Sequence, residues 1–95
     1  MNDVFDVCIT KTTKKNLKKA PVHIALKLQA WIDDVGHRGL SEVRKISGYH
    51  DEPLKGIRIR QRSVRLSKSY RAIYMIEKNN RIRFIEIIEV NKHEY

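Results

Sequence analysis

YRAIYMIEKNNRIRFIEIIEV, at residues 70–90, is the stretch of sequence that decides the fold. Residues 70–77 are β-branched and aromatic, residues 82–90 are mostly apolar, and the Asn-Asn pair at 79–80 favours a tight turn. The pattern predicts two antiparallel strands joined as a hairpin. Residues 63–66 alternate polar and apolar side chains, which predicts a further strand beside the hairpin.

The first half of the chain predicts one strand followed by helices. Residues 4–9 alternate in the manner of a strand, residues 13–19 suit a short basic helix, and Pro21 can open a longer helix that runs to about residue 35. Residues 40–46 could form a third short helix. This order predicts an α+β domain, with two or three helices packed on one face of a mostly antiparallel sheet and the other face free.

The long helix has a predicted packing face and a predicted stop. Trp31 and His23 are expected to be packing residues, and Gly36 and Gly39 are expected to end the helix. The residues that recur near the 3.6-residue period are Val22, Ala25, Leu26, Leu28, Gln29 and Ile32.

Length and composition limit the possible functions. Ninety-five residues fit one domain, residues 1–95, whose core is too small to enclose a large cofactor, so a surface site is expected. The single cysteine, Cys8, cannot form an internal disulfide and is expected to be a small buried side chain of the first strand. No apolar stretch approaches the roughly 18 residues of a membrane span and no export signal is recognisable, which favours a cytoplasmic protein without a membrane partner.

Positive charge is concentrated in two segments of the chain. The formal net charge is +9, residues 55–83 alone carry a net +9, and residues 11–27 add six lysines and no acid. Alternating arginines in an extended segment would project from one sheet face and form a basic surface for a polyanion, with nucleic acid as the first partner to consider. A solvated basic face and an acidic protein partner are the alternative interpretations. The arginines expected on this surface are Arg58, Arg60, Arg62 and Arg65.

The residues present could cleave RNA through its own 2′-hydroxyl group. That reaction needs a base for the 2′-proton, a cation for the charge that develops on phosphorus and an acid for the leaving 5′-oxygen, and it does not require a metal. The plainer alternatives are a phosphate-binding or structural arginine and a frayed C-terminal tail. The candidates are the cations Arg71 and Lys55, the bases Glu52 and His50, and the C-terminal His93 and Tyr95, which could donate a proton and stack a base.

Other chemistries find little support in the sequence. The four histidines and the cysteine show no zinc spacing, and the four glycines form neither a dinucleotide fingerprint nor a phosphate loop. We therefore expect neither a metal nor a cofactor. The arginines lie in the strand-rich half, which disfavours a helix-turn-helix reader of DNA.

Three motifs carry a resemblance to a known family. They are EPLKG at residues 52–56, RSVRLSKSYRAIY at residues 62–74 and NKHEY at residues 91–95. With these motifs the chain resembles the RelE/ParE superfamily of bacterial type II toxins, and most closely its HigB-like and YoeB-like nuclease branches. The resemblance implies a RelE-like fold, binding at the ribosomal A site, cleavage of mRNA there, and neutralisation by a cognate acidic antitoxin that covers the basic groove.

The resemblance also implies roles for individual residues. Arg71, after the aromatic residue of the central strand, matches the phosphate-stabilising arginine of the family, and Lys55 matches the lysine of its Pro-Leu-Lys-Gly motif. Glu52 stands where HigB-like proteins have a histidine and YoeB-like proteins have a glutamate base, with His50 as the other candidate base.

At the C terminus, His93 and Tyr95 look like the terminal histidine and tyrosine of the nuclease members. The alternatives are a ParE-like toxin that acts on DNA gyrase, whose branch generally lacks the arginine and the terminal acid–base pair, and a plain nucleic-acid-binding protein. The expected RNA contacts are Arg58, Arg60, Arg62, Arg65, Lys68 and His50.

Overall fold

Three helices pack against one face of a five-stranded mixed sheet in the computed structural model, which describes residues 3–92. The predicted α+β class is confirmed. The strands are β1 Val7–Ile9, β2 Glu52–Pro53, β3 Gln61–Arg65, β4 Tyr70–Asn79 and β5 Ile82–Lys92. The helices are α1 Lys11–Lys19, α2 Val22–Arg38 and α3 Leu40–Val43, and single 3₁₀ turns lie at Ser47–Tyr49 and Gly56–Arg58.

The sheet has the strand order β1-β5-β4-β3-β2, and only β1 runs parallel to its neighbour. The predicted hairpin is present, because β4 and β5 pair along their length and Asn80 adopts the left-handed conformation of a tight turn, with φ 58°. The register shifts between Ile73, which pairs with Glu89, and Tyr74, which pairs with Ile87. This bulge turns Glu89 to the face opposite the helices, although Ile87 two residues earlier lies in the core.

The core lies between α2 and the sheet. Trp31 of α2 is buried against Tyr74 of β4, with ring centroids 5.2 Å apart. The prediction that Trp31 packs is confirmed, and the prediction that His23 packs is wrong, since His23 is exposed. The predicted stripe is wrong in part, because Leu28 is buried but Val22 and Leu26 are exposed. The face that is buried has the spacing four, three, four and carries the bulkier side chains Ile24, Leu28, Trp31 and Val35.

Helix α2 ends later than predicted. It passes through Gly36 and continues to Arg38, and Gly39 terminates it with φ 85°, a conformation that glycine adopts without strain. A Cβ atom at position 39 would clash with the carboxylate of Asp3. That carboxylate accepts hydrogen bonds from the side chain and backbone of Ser41, which lower the pKa of Asp3.

Helix α1 is attached to β5 by polar contacts. Thr10 caps the helix by accepting a hydrogen bond from the Thr13 N–H at 3.1 Å, and the buried Thr13 hydroxyl donates to the Ile87 carbonyl at 2.7 Å. Asn16 accepts from the Val90 N–H at 3.0 Å. Cys8, expected to be buried, is exposed, because alternation along β1 turns its side chain away from the face that packs on the core. Across residues 3–92, no helix combines the length and apolar character needed to cross a membrane.

Candidate active-site cleft

An open cleft of about 320 Å³ lies where β2, β3 and β4 meet. Glu52 of β2 is the register partner of Ser63 in β3, and Arg65 of β3 is the register partner of Arg71 in β4. The cleft therefore collects side chains from three adjacent strands, from the segment before β2 and from the loop between β3 and β4. Its lining residues are His50, Glu52, Ser63, Arg65, Ser67, Lys68, Tyr70 and Arg71.

Two arginines that line the cleft are register partners on the adjacent strands β3 and β4. The side chains of register partners in antiparallel strands have Cβ atoms roughly 4.5–5.5 Å apart, and like charges at that separation destabilise the sheet. Arg65 and Arg71 are such a pair, and Glu52 is the only acid among the lining residues. The Arg65 side chain has neither a hydrogen bond nor an ion pair among residues 3–92. An anion bound between the two guanidinium groups would relieve this repulsion.

A chain of polar contacts holds Arg71 in place. The Arg71 Nε donates a hydrogen bond to Asn91 Oδ1 at 3.1 Å, and Asn91 Nδ2 donates to Glu89 Oε2 at 2.8 Å. The other Glu89 oxygen is paired with the Arg58 guanidinium, whose Nε also donates to Gln61 at 2.6 Å. Arg71 is thus oriented by β5 and by the connection between β2 and β3, and its other guanidinium nitrogens stay available to the cleft.

The Glu89 carboxylate stays ionised within this chain of contacts. Burial by itself would raise the pKa of Glu89, but the hydrogen bonds from Asn91 and Arg58, together with the charges of Arg58 and Arg71, outweigh burial and lower the pKa. The charged Glu89 carboxylate accepts from the Asn91 amide N–H₂ group, and this leaves the Asn91 carbonyl oxygen turned towards Arg71.

The candidate bases lie on a loop that is anchored from the other side of the sheet. His50 has φ 47°, which is uncommon for a residue with a side chain, and both His50 and Glu52 line the cleft. Between them, the Asp51 side chain is 1% exposed; it accepts from Arg62 Nε and from the Tyr74 hydroxyl, each at 2.6 Å. These two contacts fix the backbone that presents both candidate bases.

Burial and the charge of Asp51 shift the pKa values of its two hydrogen-bond partners, Tyr74 and Arg62. Burial, followed by the charge and the hydrogen bond of Asp51, raises the pKa of Tyr74, so this hydroxyl stays protonated and donates. Burial alone would lower the pKa of Arg62, but its hydrogen bond and charge interaction with Asp51 raise it. Both partners therefore keep the protons that they donate to Asp51 at neutral pH.

The four arginines expected on one face do not lie together, so that prediction is wrong. Arg65 follows Arg62 by three positions in β3, so the two side chains project to opposite faces, and Arg62 is paired with Asp51. Residues 58 and 60 precede β3: Arg58 pairs with Glu89, and the exposed Arg60 lies 3.8 Å from Glu77. Nor is the face opposite the helices wholly free, since Ile73 on it is fully buried and Arg58 reaches across to β5.

Five of the predicted site residues do meet in the cleft, namely His50, Glu52, Arg65, Lys68 and Arg71. Lys55 is exposed at the start of the 3₁₀ turn and does not line the cleft. His93 and Tyr95 lie outside the described residues. The last described residue, Lys92, is the register partner of Tyr70, which lines the cleft.

Sequence reasoning missed the residues that support the site. Asn91 belongs to the C-terminal motif and Asp51 sits between the two candidate bases, but their contacts depend on strand register. The position of Glu89 depends on the β5 bulge, for which the sequence gives no signal. Among residues 3–92, no three His, Cys, Asp or Glu side chains form a group that could hold a metal ion.

This architecture is the fold of the RelE/ParE-type toxins. At the sequence level, no family model and no curated protein matches the chain. Among solved structures, the YoeB/ParE toxin from Agrobacterium tumefaciens superimposes with a TM-score of 0.69 at 16% identity, covering 94% of this chain and 99% of that one. At these identities the likeness establishes the fold.

The same fold is found in a chain of each of two toxin–antitoxin complexes. The match to the E. coli DinJ–YafQ complex has a TM-score of 0.68 at 17% identity and covers 93% of this chain and 91% of that one. The match to RelBE2 from Mycobacterium tuberculosis has a TM-score of 0.57 at 22% identity and covers 93% and 96%. The RelE-like fold implied by the sequence motifs is thus confirmed.

Proposed function

We propose that the chain is the toxin of a type II toxin–antitoxin system and a ribosome-dependent endoribonuclease that cleaves mRNA in the cytoplasm. The observation that carries the proposal is the cleft itself, where Arg71 is the register partner of Arg65 and the candidate bases Glu52 and His50 line the same cleft. Two like charges held in register suit a phosphate between them, and a base nearby suits removal of a 2′-proton.

Each of these groups acts in one step of the proposed reaction. Glu52 or His50 takes the proton from the 2′-hydroxyl, whose oxygen attacks the adjacent phosphorus, and the bond to the 5′-oxygen of the next nucleotide breaks. Arg71 stabilises the negative charge on the phosphoryl oxygens, and Arg65 contributes from the opposite strand. The products are a 2′,3′-cyclic phosphate and a 5′-hydroxyl end.

The remaining roles come from the sequence resemblance. His93 protonates the departing 5′-oxygen, and Tyr95 stacks on a base of the substrate. Lys55 shares with Arg71 the stabilisation of the phosphoryl charge, and Lys68, which lines the cleft, contacts the RNA backbone. Arg62 makes no such contact, because it is paired with Asp51. The other partner is a cognate acidic antitoxin, which the toxin–antitoxin complexes among the structural relatives support.

The test is induction of the chain in bacterial cells, followed by mapping of transcript ends at codon resolution. Induction is expected to produce new ends within translated regions, and Arg71→Ala is expected to lower the cleavage rate by about 10² to 10³ with folding intact. The matched control, Arg81→Ala, removes an arginine in the β4–β5 turn and should cut like the parent. If the Arg71→Ala variant cleaved transcripts at the parental rate, the assignment of the cleft as the active site would be refuted.

The alternative function is a ParE-like action on DNA gyrase. A gyrase inhibitor has no need of candidate bases beside a pair of arginines, so the cleft favours the nuclease. A supercoiling assay with purified gyrase separates the two functions: inhibition by the parent, without new transcript ends, would support the ParE-like toxin instead.

A further inference from the structure

Helix α1 carries a row of lysines that the cleft does not use. At about 100° per residue, its five lysines fall within an arc of about 140°, and the row extends about 12 Å along the helix axis. All five are exposed, whereas Thr13, Asn16 and Leu17 form the side of α1 that faces the protein. The lysines are Lys11, Lys14, Lys15, Lys18 and Lys19.

Repulsion between the lysines of this row destabilises the helix. Lys15 has a lysine four residues away on each side, Lys11 and Lys19, and Lys14 and Lys18 form a third like-charged pair at the same spacing. The first turn contains no acid, and Lys11 there opposes the helix dipole. None of the five ammonium groups has an ion pair or a hydrogen bond within residues 3–92. A local feature that opposes folding without compensation is typical of a binding surface.

The chemistry of the face identifies its partner. The exposed residues of α1 are lysines and Thr12, with no aromatic or large apolar side chain to anchor a protein, and lysine is depleted in protein–protein interfaces. Flexible ammonium groups in a row suit the phosphate backbone, which they bind without reading sequence. Over about 12 Å, double-stranded DNA presents about seven phosphates, at about 1.7 Å per charge, and the backbone of an RNA duplex likewise carries one charge per nucleotide.

We propose that α1 is a second RNA-binding surface, which binds the backbone of double-helical RNA on the face of the sheet opposite the cleft. The surface goes beyond the proposed function, because duplex binding by α1 does not require cleavage in the cleft. A folded RNA could thus be held by α1 through its duplex part while a single strand enters the cleft.

The test measures binding of a fluorescent 16-base-pair RNA duplex by anisotropy between 0.05 and 0.3 M salt. The variant K11Q/K15Q/K18Q removes every lysine pair at four-residue spacing and keeps helix propensity, since glutamine and lysine are similar helix formers. The slope of log affinity against log salt is expected to shrink by about 3, one unit per lysine. At 0.15 M salt the affinity should fall by up to about a hundredfold.

The matched control is K78Q/R81Q/R83Q, which removes the same charge from exposed positions around the β4–β5 turn. It should leave most of the slope intact, and the α1 variant should melt at or a few degrees above the parent because its repulsion is gone. An unchanged slope in the α1 variant, or an equal fall in the control, would overturn the proposal.

Two further arms identify the source of the effect. If the α1 variant loses binding to poly-L-glutamate of matched charge but keeps duplex affinity, the face belongs to an acidic protein and the proposal is wrong. The slope change is also measured in an Arg71→Ala background, where it should persist. Absence of cleavage in cells and absence of duplex binding are therefore separate results.

Discussion

Asn91 should matter to catalysis only through Arg71. Its Oδ1 accepts from the Arg71 Nε at 3.1 Å, and Glu89 fixes the orientation of its amide. A hydrogen bond from a charged donor is worth about 1.5 to 3 kcal/mol, and because Arg71 is half-buried the lower end applies. Asn91→Ala should therefore lower the rate of the chemical step by about tenfold.

A double-mutant cycle tests this dependence in a single-turnover assay of ribosome-bound mRNA cleavage. Arg71→Lys keeps the positive charge but has no N–H at the Nε position, so the hydrogen bond to Asn91 is already lost. The double variant should then cleave at the rate of Arg71→Lys within about twofold. Asn79→Ala, at an exposed asparagine of β4, is the control and should cleave like the parent. A tenfold loss from Asn91→Ala in both backgrounds would refute the positioning role.

Three further predictions concern stability, measured by urea unfolding. Folding lowers the pKa of Glu89, so the ionised carboxylate stabilises the protein above about pH 4.5, and this stabilisation is lost as the pH falls through the folded pKa. Glu89→Gln should therefore destabilise the protein at pH 7. The difference in unfolding free energy between the variant and the parent should shrink by pH 3.5. Asp51→Asn should cost about 2 to 3 kcal/mol, since it leaves a partly buried arginine without its counter-charge; a loss below 0.5 kcal/mol would contradict this. Gly39→Ala should cost more than about 1 kcal/mol, because the residue has φ 85° and a Cβ would meet a carboxylate, whereas Gly36→Ala, inside the helix with open space around it, should stabilise by about 0.5 to 1 kcal/mol.

The elements of the fold could be predicted from sequence because their signals are local. The β4–β5 hairpin follows from an apolar pattern interrupted by Asn79 and Asn80, and both strands are found. The packing face of α2 could not be predicted in the same way, since the sequence offers two apolar stripes and packing against the sheet, where Trp31 meets Tyr74, selects the one with Trp31. Exposure of Leu26 is thus a tertiary outcome.

The site was partly predictable for a similar reason. Residue type and motif order pointed to Arg71, Glu52 and His50, and strand pairing brings these three into one cleft. Counting alternation through an arginine-rich segment failed, because β3 begins only at residue 61 and Arg62 and Arg65 then face opposite ways. Which arginine meets an anion and which meets a carboxylate depends on register, and a single sequence does not give register.

The cleft owes its rigidity to residues one step away from those that would do the chemistry. Asp51 points into the helix layer while its neighbours His50 and Glu52 line the cleft, so a buried hydrogen-bonded carboxylate sets the position of both candidate bases. Arg71 stands beside the buried Ala72 of the same strand and is held laterally by Asn91. A domain with a small core can order reactive groups in this way, since a packed neighbour fixes the position of each group. Substitutions at these neighbours should therefore alter the geometry of the cleft before they unfold the protein.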